Sequence, residues 1–142
     1  MKKHIALICL CMTLALSSCT FFQKTEKVPR IIITEDNNGE KIQVVKGTVI
    51  EIILEGNITT GFSWEIDSVE PALLDYSSEP EYTSGKKSLT QLFQPKEGTP
   101  GEFHFIFTTI ETGECHLRLI YHQPFSPGTI PLNVFYITLD IH

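Results

Sequence analysis

Hydrophobic and polar residues alternate with a period of two along most of the chain after residue 29. Such alternation is typical of β-strands that bury one face, and Gly, Asn and Pro separate the runs as turns do. No stretch holds a 3.6-residue period, although Ser68–Tyr76 is compatible with one helical turn. The pattern predicts eight strands: Arg30–Glu35, Glu40–Lys46, Thr48–Glu55, Phe62–Asp67, Ser88–Gln94, Glu102–Ile110, Glu114–His122 and Leu132–Ile141.

The alternation also assigns an apolar face to each long strand. Phe103, Phe105 and Phe107 share one side of the strand that begins at residue 102. The next two strands have apolar faces of the same kind, made of Cys115, Leu117, Leu119 and Tyr121 and of Phe135, Ile137, Leu139 and Ile141. Half-buried strands bury such faces by packing two sheets together. We therefore predict an all-β domain over residues 30–142, an immunoglobulin-like antiparallel β-sandwich of seven to eight strands.

The first eighteen residues have the pattern of a secretory signal. A basic start precedes the apolar run Ile5–Leu16, which is shorter than the ~20 residues that span a bilayer. The ending Leu16-Ser17-Ser18-Cys19 resembles the lipobox of bacterial lipoproteins, in which the Cys is lipidated and becomes the first mature residue. The alternative is an ordinary signal peptide that is cut near a chance Cys.

We therefore predict a lipoprotein signal peptide at residues 1–18 and a tether at residues 19–29. Lipid on Cys19 would anchor the protein to a membrane of the cell envelope, on its periplasmic side or at the cell surface. Thr20 is not Asp, which by resemblance to enterobacterial sorting favours the outer membrane.

Charge and cysteine content narrow the range of functions. The 142 residues include 11 Lys+Arg and 17 Asp+Glu, and loss of Lys2 and Lys3 with the signal leaves 9 against 17, a net charge of −8. An acidic chain without a basic stripe is not suited to nucleic acid. Only Cys115 is left after cleavage and lipidation, so no intrachain disulfide is possible. No nucleotide-binding fingerprint is present, and we expect a monomer that needs no cofactor.

The candidate catalytic residues do not combine into a recognisable site. Cys115 lies on the apolar face of its strand, and His116 lies on the opposite face. His104 and His116 are candidate neighbours on one solvent face, but two histidines without a further ligand make a weak metal site. The other histidines of the domain, His122 and His142, add no ligand spacing. We therefore expect no metal site and no enzymatic activity.

One loop has a composition that a simple connection does not explain. It runs from Gly56 to Trp64, between two predicted strands, and contains the single Trp of the chain. Thr59 and Thr60 are β-branched and stiff, while Gly61 permits a tight reversal. A stiff, small, polar tip suits insertion into a narrow groove, since it loses little entropy on binding. The alternative is a plain connection that a buried Trp64 anchors in the core.

The sequence of this loop resembles a known family. Asn57-Ile58-Thr59-Thr60-Gly61-Phe62-Ser63-Trp64 is similar to the Asn-Pro-Thr-Thr-Gly-aromatic-x-Trp motif of chagasin-like inhibitors of papain-family cysteine proteases. The resemblance covers roughly Lys41 to the C-terminus and implies an immunoglobulin-like sandwich that presents three adjacent loops to the protease. Ile58 stands where the family has Pro.

The second and third family loops have weaker counterparts. Tyr121-His122-Gln123-Pro124-Phe125 stands where the family has a Tyr-Arg-Arg-Pro-Trp-like segment, so Gln123 replaces an Arg. Ser84-Gly85-Lys86-Lys87 stands where a Gly-x-Gly-Gly loop is expected and lacks the paired glycines. The resemblance implies that the following residues bind the protease: Asn57, Ile58, Thr59, Thr60, Gly61, Phe62, Gly85, Lys86, Lys87, Gln123, Pro124 and Phe125.

By this resemblance the protein is a reversible, non-covalent inhibitor that occludes the active-site cleft of a papain-like protease. The protease can belong to the producing cell, a host or a competitor. The alternative from the same fold is an envelope lipoprotein that binds a non-protease partner, such as an adhesin or an assembly factor. A purely structural envelope protein and a hydrolase that uses Cys115 or the histidines are the remaining hypotheses.

Overall fold

The computed structural model describes residues 27–84, 100–126 and 128–142. These residues form nine strands: β1 (Arg30–Thr34), β2 (Lys41–Val44), β3 (Val49–Gly56), β4 (Ser63–Ser68), β5 (Leu74–Tyr76), β6 (Glu81–Thr83), β7 (Gly101–Thr109), β8 (Gly113–His122) and β9 (Asn133–Ile141). Two short 3-10 turns, Glu35–Asn37 and Ile58–Thr60, join strands. Within the described ranges, no helix has the length and apolar character needed to cross a bilayer.

The strands form two sheets. One has the order β1-β3-β7-β5, with β6 pairing with the same edge of β7, and the other has the order β2-β9-β8-β4. The chain crosses from the first sheet to the second between β1 and β2 and returns before β3. Because β2 intervenes in the other sheet, β1 runs parallel to β3. β2 also runs parallel to its neighbour β9, while all other pairs are antiparallel.

The predicted all-β sandwich is confirmed, with two differences in detail. Nine strands are present in the described ranges instead of seven to eight, and two pairs are parallel. The extra strands β5 and β6 have three residues each, too few to produce a visible alternation. The segment Ser68–Tyr76 contains a turn, closed by the Leu73 N–H on the Glu70 carbonyl at 3.1 Å, and then β5. The strand predicted at 88–94 lies outside the described residues.

The core lies between the two sheets and consists of the faces that alternation predicted. The first sheet contributes three phenylalanines and the second contributes aliphatic side chains, all at most 2 % exposed: Phe103, Phe105 and Phe107, and Leu117, Leu119, Ile137 and Leu139. At roughly 1.5–3 kcal/mol for each fully buried large side chain, this interdigitated layer is the main source of stability. It stabilises the domain without a disulfide, since the one described cysteine is free.

Strand register divides the sandwich into two ends. The end where β3 finishes at Gly56 and β8 finishes at His122 is called the loop end; it includes residues 57–62 and 123–132. The opposite end, where Val49 begins β3, is called the tether end. It includes Pro29, whose carbonyl accepts the Val49 N–H at 2.8 Å, and the turn at residues 110–112.

A charged cluster covers the outer face of the first sheet. Glu51 on β3 accepts hydrogen bonds from Arg30 of β1 at 2.5 Å and lies 2.9 Å from Nδ1 of His104 on β7. The side chain of Glu51 is only 14 % exposed, so solvent screens these contacts incompletely. The Arg30 guanidinium, and then His104, hold the pKa of the Glu51 carboxyl below its usual value. The cluster therefore links three adjacent strands.

We predict that Glu51→Gln lowers the free energy of unfolding by about 1 kcal/mol at pH 7. A carboxyl with a depressed pKa contributes stability above its unfolded-state pKa and loses that contribution as the pH falls. The difference from the wild type should therefore shrink below about pH 4. Urea denaturation at pH 7 and pH 3 measures it. Glu55→Gln is the control, because the Glu55 carboxylate has no ion pair among the described residues. It should change the free energy of unfolding little at either pH. A loss that is equal at both pH values would contradict the prediction.

Candidate functional site

Residues 57–62, called the Asn57 loop, contain a 3-10 turn that is closed by hydrogen bonds within the loop. The Asn57 side-chain oxygen accepts the Thr59 N–H at 3.0 Å and the Thr59 hydroxyl at 2.7 Å. The Thr60 hydroxyl donates to the Asn57 carbonyl at 2.6 Å. Asn at the residue before a helical turn is favoured because its side chain satisfies an orphan N–H in this way. The loop therefore has a defined shape without contact to a partner, and both threonines are exposed.

Gly61 ends the turn in a left-handed conformation. Its φ is +79° and its N–H donates to the Ile58 carbonyl at 3.1 Å. A Cβ placed on Gly61 would meet nothing within 4 Å, so space does not require glycine here. The requirement comes from the backbone, since residues with a Cβ rarely adopt this φ.

An aromatic cluster supports the loop from below. The centre of the Tyr121 ring, on β8, lies 5.4 Å from that of Phe62 and 5.3 Å from that of Trp64. It also lies 6.4 Å from the centre of the Phe103 ring, on β7. The Tyr121 hydroxyl accepts the Asn57 N–H at 2.8 Å. Trp64 is 1 % exposed and donates its indole N–H to the Glu55 carbonyl at 2.9 Å. These contacts join both sheets to both ends of the loop.

Two glycines let the backbone pass close to this cluster. A Cβ on Gly56 would lie 2.7 Å from Phe103 and 3.0 Å from Tyr121. A Cβ on Gly101, the residue paired with Gly56, would lie 2.3 Å from the hydroxyl oxygen of Tyr82. Neither glycine was predicted from the sequence to have this role. Glycine inside a strand pattern was the available signal, because it often marks a close approach.

The second candidate loop joins β8 to β9 at the same end. The Ser126 N–H donates to the Gln123 carbonyl at 3.0 Å, which forms a turn over Pro124 and Phe125. Phe125 is 92 % exposed, so its ring has no place in the core. The three predicted residues of this loop thus lie at the same end of the sandwich as the Asn57 loop, since His122 pairs with Ser63.

Two further apolar side chains of this loop were not predicted from the sequence to be part of the site. Ile130 is 92 % exposed and Leu132 is 68 % exposed. The alternation placed Leu132 in the last strand, but β9 begins at Asn133. The Leu132 N–H donates to the Tyr121 carbonyl at 2.8 Å, which ties the loop back to the aromatic cluster. Together with Phe125, these residues give the loop end an exposed apolar surface.

The third predicted group, Gly85, Lys86 and Lys87, lies outside the described residues. The described residues that flank the stretch 85–99 both lie at the loop end. Thr83 pairs with Glu102, and Gly101 pairs with Gly56, the residue before Asn57. Thr83 and Gly101 therefore lie at the same end of the sandwich as the other two loops.

The histidines do not meet as the sequence argument suggested. His104 and His116 lie in different sheets and on opposite outer faces, so they are not cross-strand neighbours. His104 contacts Glu51, His116 contacts Thr138 and His122 contacts Glu65. The described residues contain no group of three or more His, Cys, Asp or Glu side chains that could hold a metal.

Cys115 is fully buried and its environment opposes ionisation. Burial, and then a hydrogen bond from Sγ to the Glu70 carboxylate at 3.1 Å, raises the pKa of the Cys115 thiol to about 12. Reactive cysteines have the opposite shift, because the thiolate is the nucleophile.

A groove with a volume of about 740 Å³ belongs to another surface. It follows the open edge between β4 and the stretch 76–80, and it is lined by Ser63 and Trp64 at the start of β4 but by no residue of 57–62. Two of its carboxylates are already engaged, Glu65 by His122 and Asp67 by Arg118. The loop end is thus the surface where the sequence motif and the exposed apolar side chains coincide.

A β-sandwich with a preformed Asn-x-Thr-Thr-Gly turn at one end has known relatives. The sequence profile of the Chagasin family peptidase inhibitor I42 matches residues 43–139. Amoebiasin-1 of Entamoeba histolytica is 38 % identical over 96 residues, which is 68 % of this chain and 85 % of that protein. The chain belongs to the Chagasin family of peptidase inhibitors.

Solved structures agree with this assignment. The solution structure of amebosin is 33 % identical, with a TM-score of 0.63 over 80 % of this chain and 99 % of its own. The cysteine protease inhibitor EhICP2 from Entamoeba histolytica has the same fold, with 19 % identity and a TM-score of 0.69 over 80 % and 96 % of the two chains. PbICP-C, solved in complex with falcipain-2, is 21 % identical, with a TM-score of 0.50 over 82 % and 93 %.

We predict that Tyr121→Phe loosens the Asn57 loop without unfolding the domain. The Asn57 N–H loses its acceptor, which costs about 1 kcal/mol in unfolding free energy. The Asn57 amide should exchange with solvent about fivefold faster, as measured by NMR hydrogen exchange. Tyr136→Phe is the matched control, because that ring is 55 % exposed on β9. Equal exchange rates in the two variants would contradict the role assigned to the Tyr121 hydroxyl.

Proposed function

We propose that this chain is a reversible, non-covalent inhibitor of papain-like cysteine proteases that occludes the active-site cleft with the loop end. The observation that carries the proposal is the closed turn at Asn57–Gly61, which holds two exposed threonines in a fixed shape. A turn that is already formed loses little conformational entropy on binding. The family assignment and the falcipain-2 complex of PbICP-C support the choice of target.

Inhibition in this mechanism is steric. Thr59, Thr60 and Gly61 cover the catalytic Cys and His of the protease. Hydrogen bonds within the loop close the turn, so its peptide bonds are not offered as an extended, cleavable segment. The chain acts by binding and not by turnover, and it needs no cofactor for this. Family members have Pro where this chain has Ile58, and here the Asn57 side chain supplies the rigidity.

The neighbouring loops brace the complex on either side of the Asn57 turn. Phe125 is the aromatic anchor, because large exposed rings contribute most to such interfaces. Gln123 and Pro124 flank it, although Gln123 lacks the charge of the Arg that the family has there. Gly85, Lys86 and Lys87 brace the other side. Three loops are sufficient for a protease–inhibitor interface of ~1,600 Å².

We also propose that the mature protein is a lipoprotein. The motif Leu16-Ser17-Ser18-Cys19 supports cleavage before Cys19 and attachment of lipid to it. The inhibitor domain then works as a monomer at a membrane of the cell envelope.

Titration of papain with the soluble chain that lacks residues 1–19 tests the proposed function. We expect a reversible, stoichiometric loss of activity, with the inhibitor intact on a gel afterwards. Thr60→Asp should weaken inhibition about a hundredfold, because an unpaired carboxylate buried at an interface costs on the order of 3 kcal/mol. Thr112→Asp, at the tether end, is the matched control and should inhibit as the wild type does.

Two results would contradict the proposal. Equal inhibition by Thr60→Asp and wild type would remove the Asn57 turn from the interface. No inhibition of papain or a small panel of its relatives at micromolar concentration would favour a non-protease partner for the same surface.

We predict that the apolar side chains of the second loop add affinity. Ile130→Ser should raise the inhibition constant about tenfold, since burial of one aliphatic side chain contributes roughly 1.5 kcal/mol. Ile110→Ser removes an exposed isoleucine at the tether end and should leave the constant unchanged. Steady-state inhibition assays measure both variants, with circular dichroism to verify folding. Equal inhibition constants would place Ile130 outside the interface.

A further inference from the structure

The chain enters the sandwich at the end opposite the candidate loops. The Pro29 carbonyl accepts the Val49 N–H, and β1 then pairs in parallel with β3 from Arg30 opposite Val49. The Asn57 turn follows Gly56, the last residue of β3. At ~3.3 Å per residue, the eight steps from Val49 to Asn57 span about 26 Å. The tether and the turn are thus separated by the full length of the sandwich.

We propose that lipid on Cys19 holds the tether end toward the bilayer and presents the loop end to the aqueous phase. The target is then a papain-like protease that is free in solution, and not one that lies on the same membrane. This inference rests on the proposed function and on the proposed lipidation.

The length of the tether opposes the reversed orientation. The ten steps from Cys19 to Pro29 can extend over at most about 36 Å. To place the loop end on the membrane, the tether would have to run back along the sandwich and use about 26 Å of that reach. A chain stretched to roughly 70 % of its reach has fewer conformations than a relaxed one, so this arrangement costs conformational entropy. With the tether end toward the lipid, no such extension is needed.

The orientation decides which proteases have access. A protease docked on the Asn57 turn lies beyond the far end of the sandwich, about 26 Å from the tether end. Soluble proteases approach this position freely. A protease held close to the same bilayer would have to raise its cleft by that distance.

Inhibition of papain by the lipidated protein in phosphatidylcholine vesicles tests the inference. Per accessible molecule, the inhibition constant should agree within about twofold with that of the soluble chain. A constant tenfold higher on vesicles, with normal inhibition in solution, would overturn the orientation and leave the proposed function intact. Insertion of Phe125 and Ile130 into the bilayer would give that result.

Two matched variants show what this assay gives when either the tether end or the loop end is fixed to the membrane. Thr112→Cys and Thr129→Cys are made in the mature chain with Cys19→Ser and coupled to maleimide-bearing lipid in vesicles. Thr112 is exposed at the tether end and Thr129 at the loop end, while Cys115 is buried and stays unlabelled. Each is compared with the same variant capped by N-ethylmaleimide in solution. Coupling at residue 112 should leave inhibition unchanged, and coupling at residue 129 should abolish it.

A measurement without any protease separates the two hypotheses. In the lipidated protein, a donor dye on Thr112→Cys should transfer energy to an acceptor lipid more efficiently than one on Thr129→Cys. Equal or reversed efficiencies would overturn the orientation. If the soluble chain fails to inhibit papain, the proposed function falls, and the energy transfer still determines which end faces the membrane.

Discussion

The contact between Tyr121 and Asn57 is the constraint on which the loop end depends. The Tyr121 hydroxyl accepts the Asn57 N–H at 2.8 Å, at the point where β3 turns away from its sheet. The ring beneath it packs against Trp64 of one sheet and Phe103 of the other. Gly56 has no side chain, which leaves room for the rings of Tyr121 and Phe103. A larger residue at position 56 would clash with these rings and displace the Asn57 loop from Tyr121.

Hydrogen bonds hold the turn in shape, and exposed apolar side chains surround it. Asn57 closes the turn with its own side chain, and Gly61 supplies the left-handed exit. Phe125 and Ile130 are exposed at the same end of the sandwich. A rigid polar tip beside exposed apolar anchors is the arrangement expected of a protein-binding surface, since pre-organisation lowers the entropy cost and the anchors supply buried area.

The crossing of the chain between the two sheets also decides at which end of the sandwich β1 begins. β1 runs parallel to β3, so β1 begins at the end of the sandwich where β3 begins and not where β3 ends. Pro29 and the Asn57 loop therefore lie at opposite ends of the sandwich. An antiparallel β1 would have placed them at the same end.

A structural feature can be predicted from the sequence when the interactions that produce it are local in the chain. Alternation with a period of two predicted the long strands and their buried faces, because it reflects local backbone geometry. Three-residue strands such as β5 are too short to produce it, and sheet membership is not local at all. For that reason His104 and His116 lie on opposite faces although their strands are consecutive long elements of the pattern.

By itself, the sequence determined the all-β class, the inward-facing residues and the Asn-x-Thr-Thr-Gly turn, whose bonds lie within five residues. Only the tertiary structure decided that the loop after β8 and the flanks of the 85–99 stretch meet at that turn. It also decided that Ile130 and Leu132 are exposed there and that the chain enters at the far end. The physical reason is that pairing between strands distant in the chain depends on how whole faces pack, which no short window of residues contains.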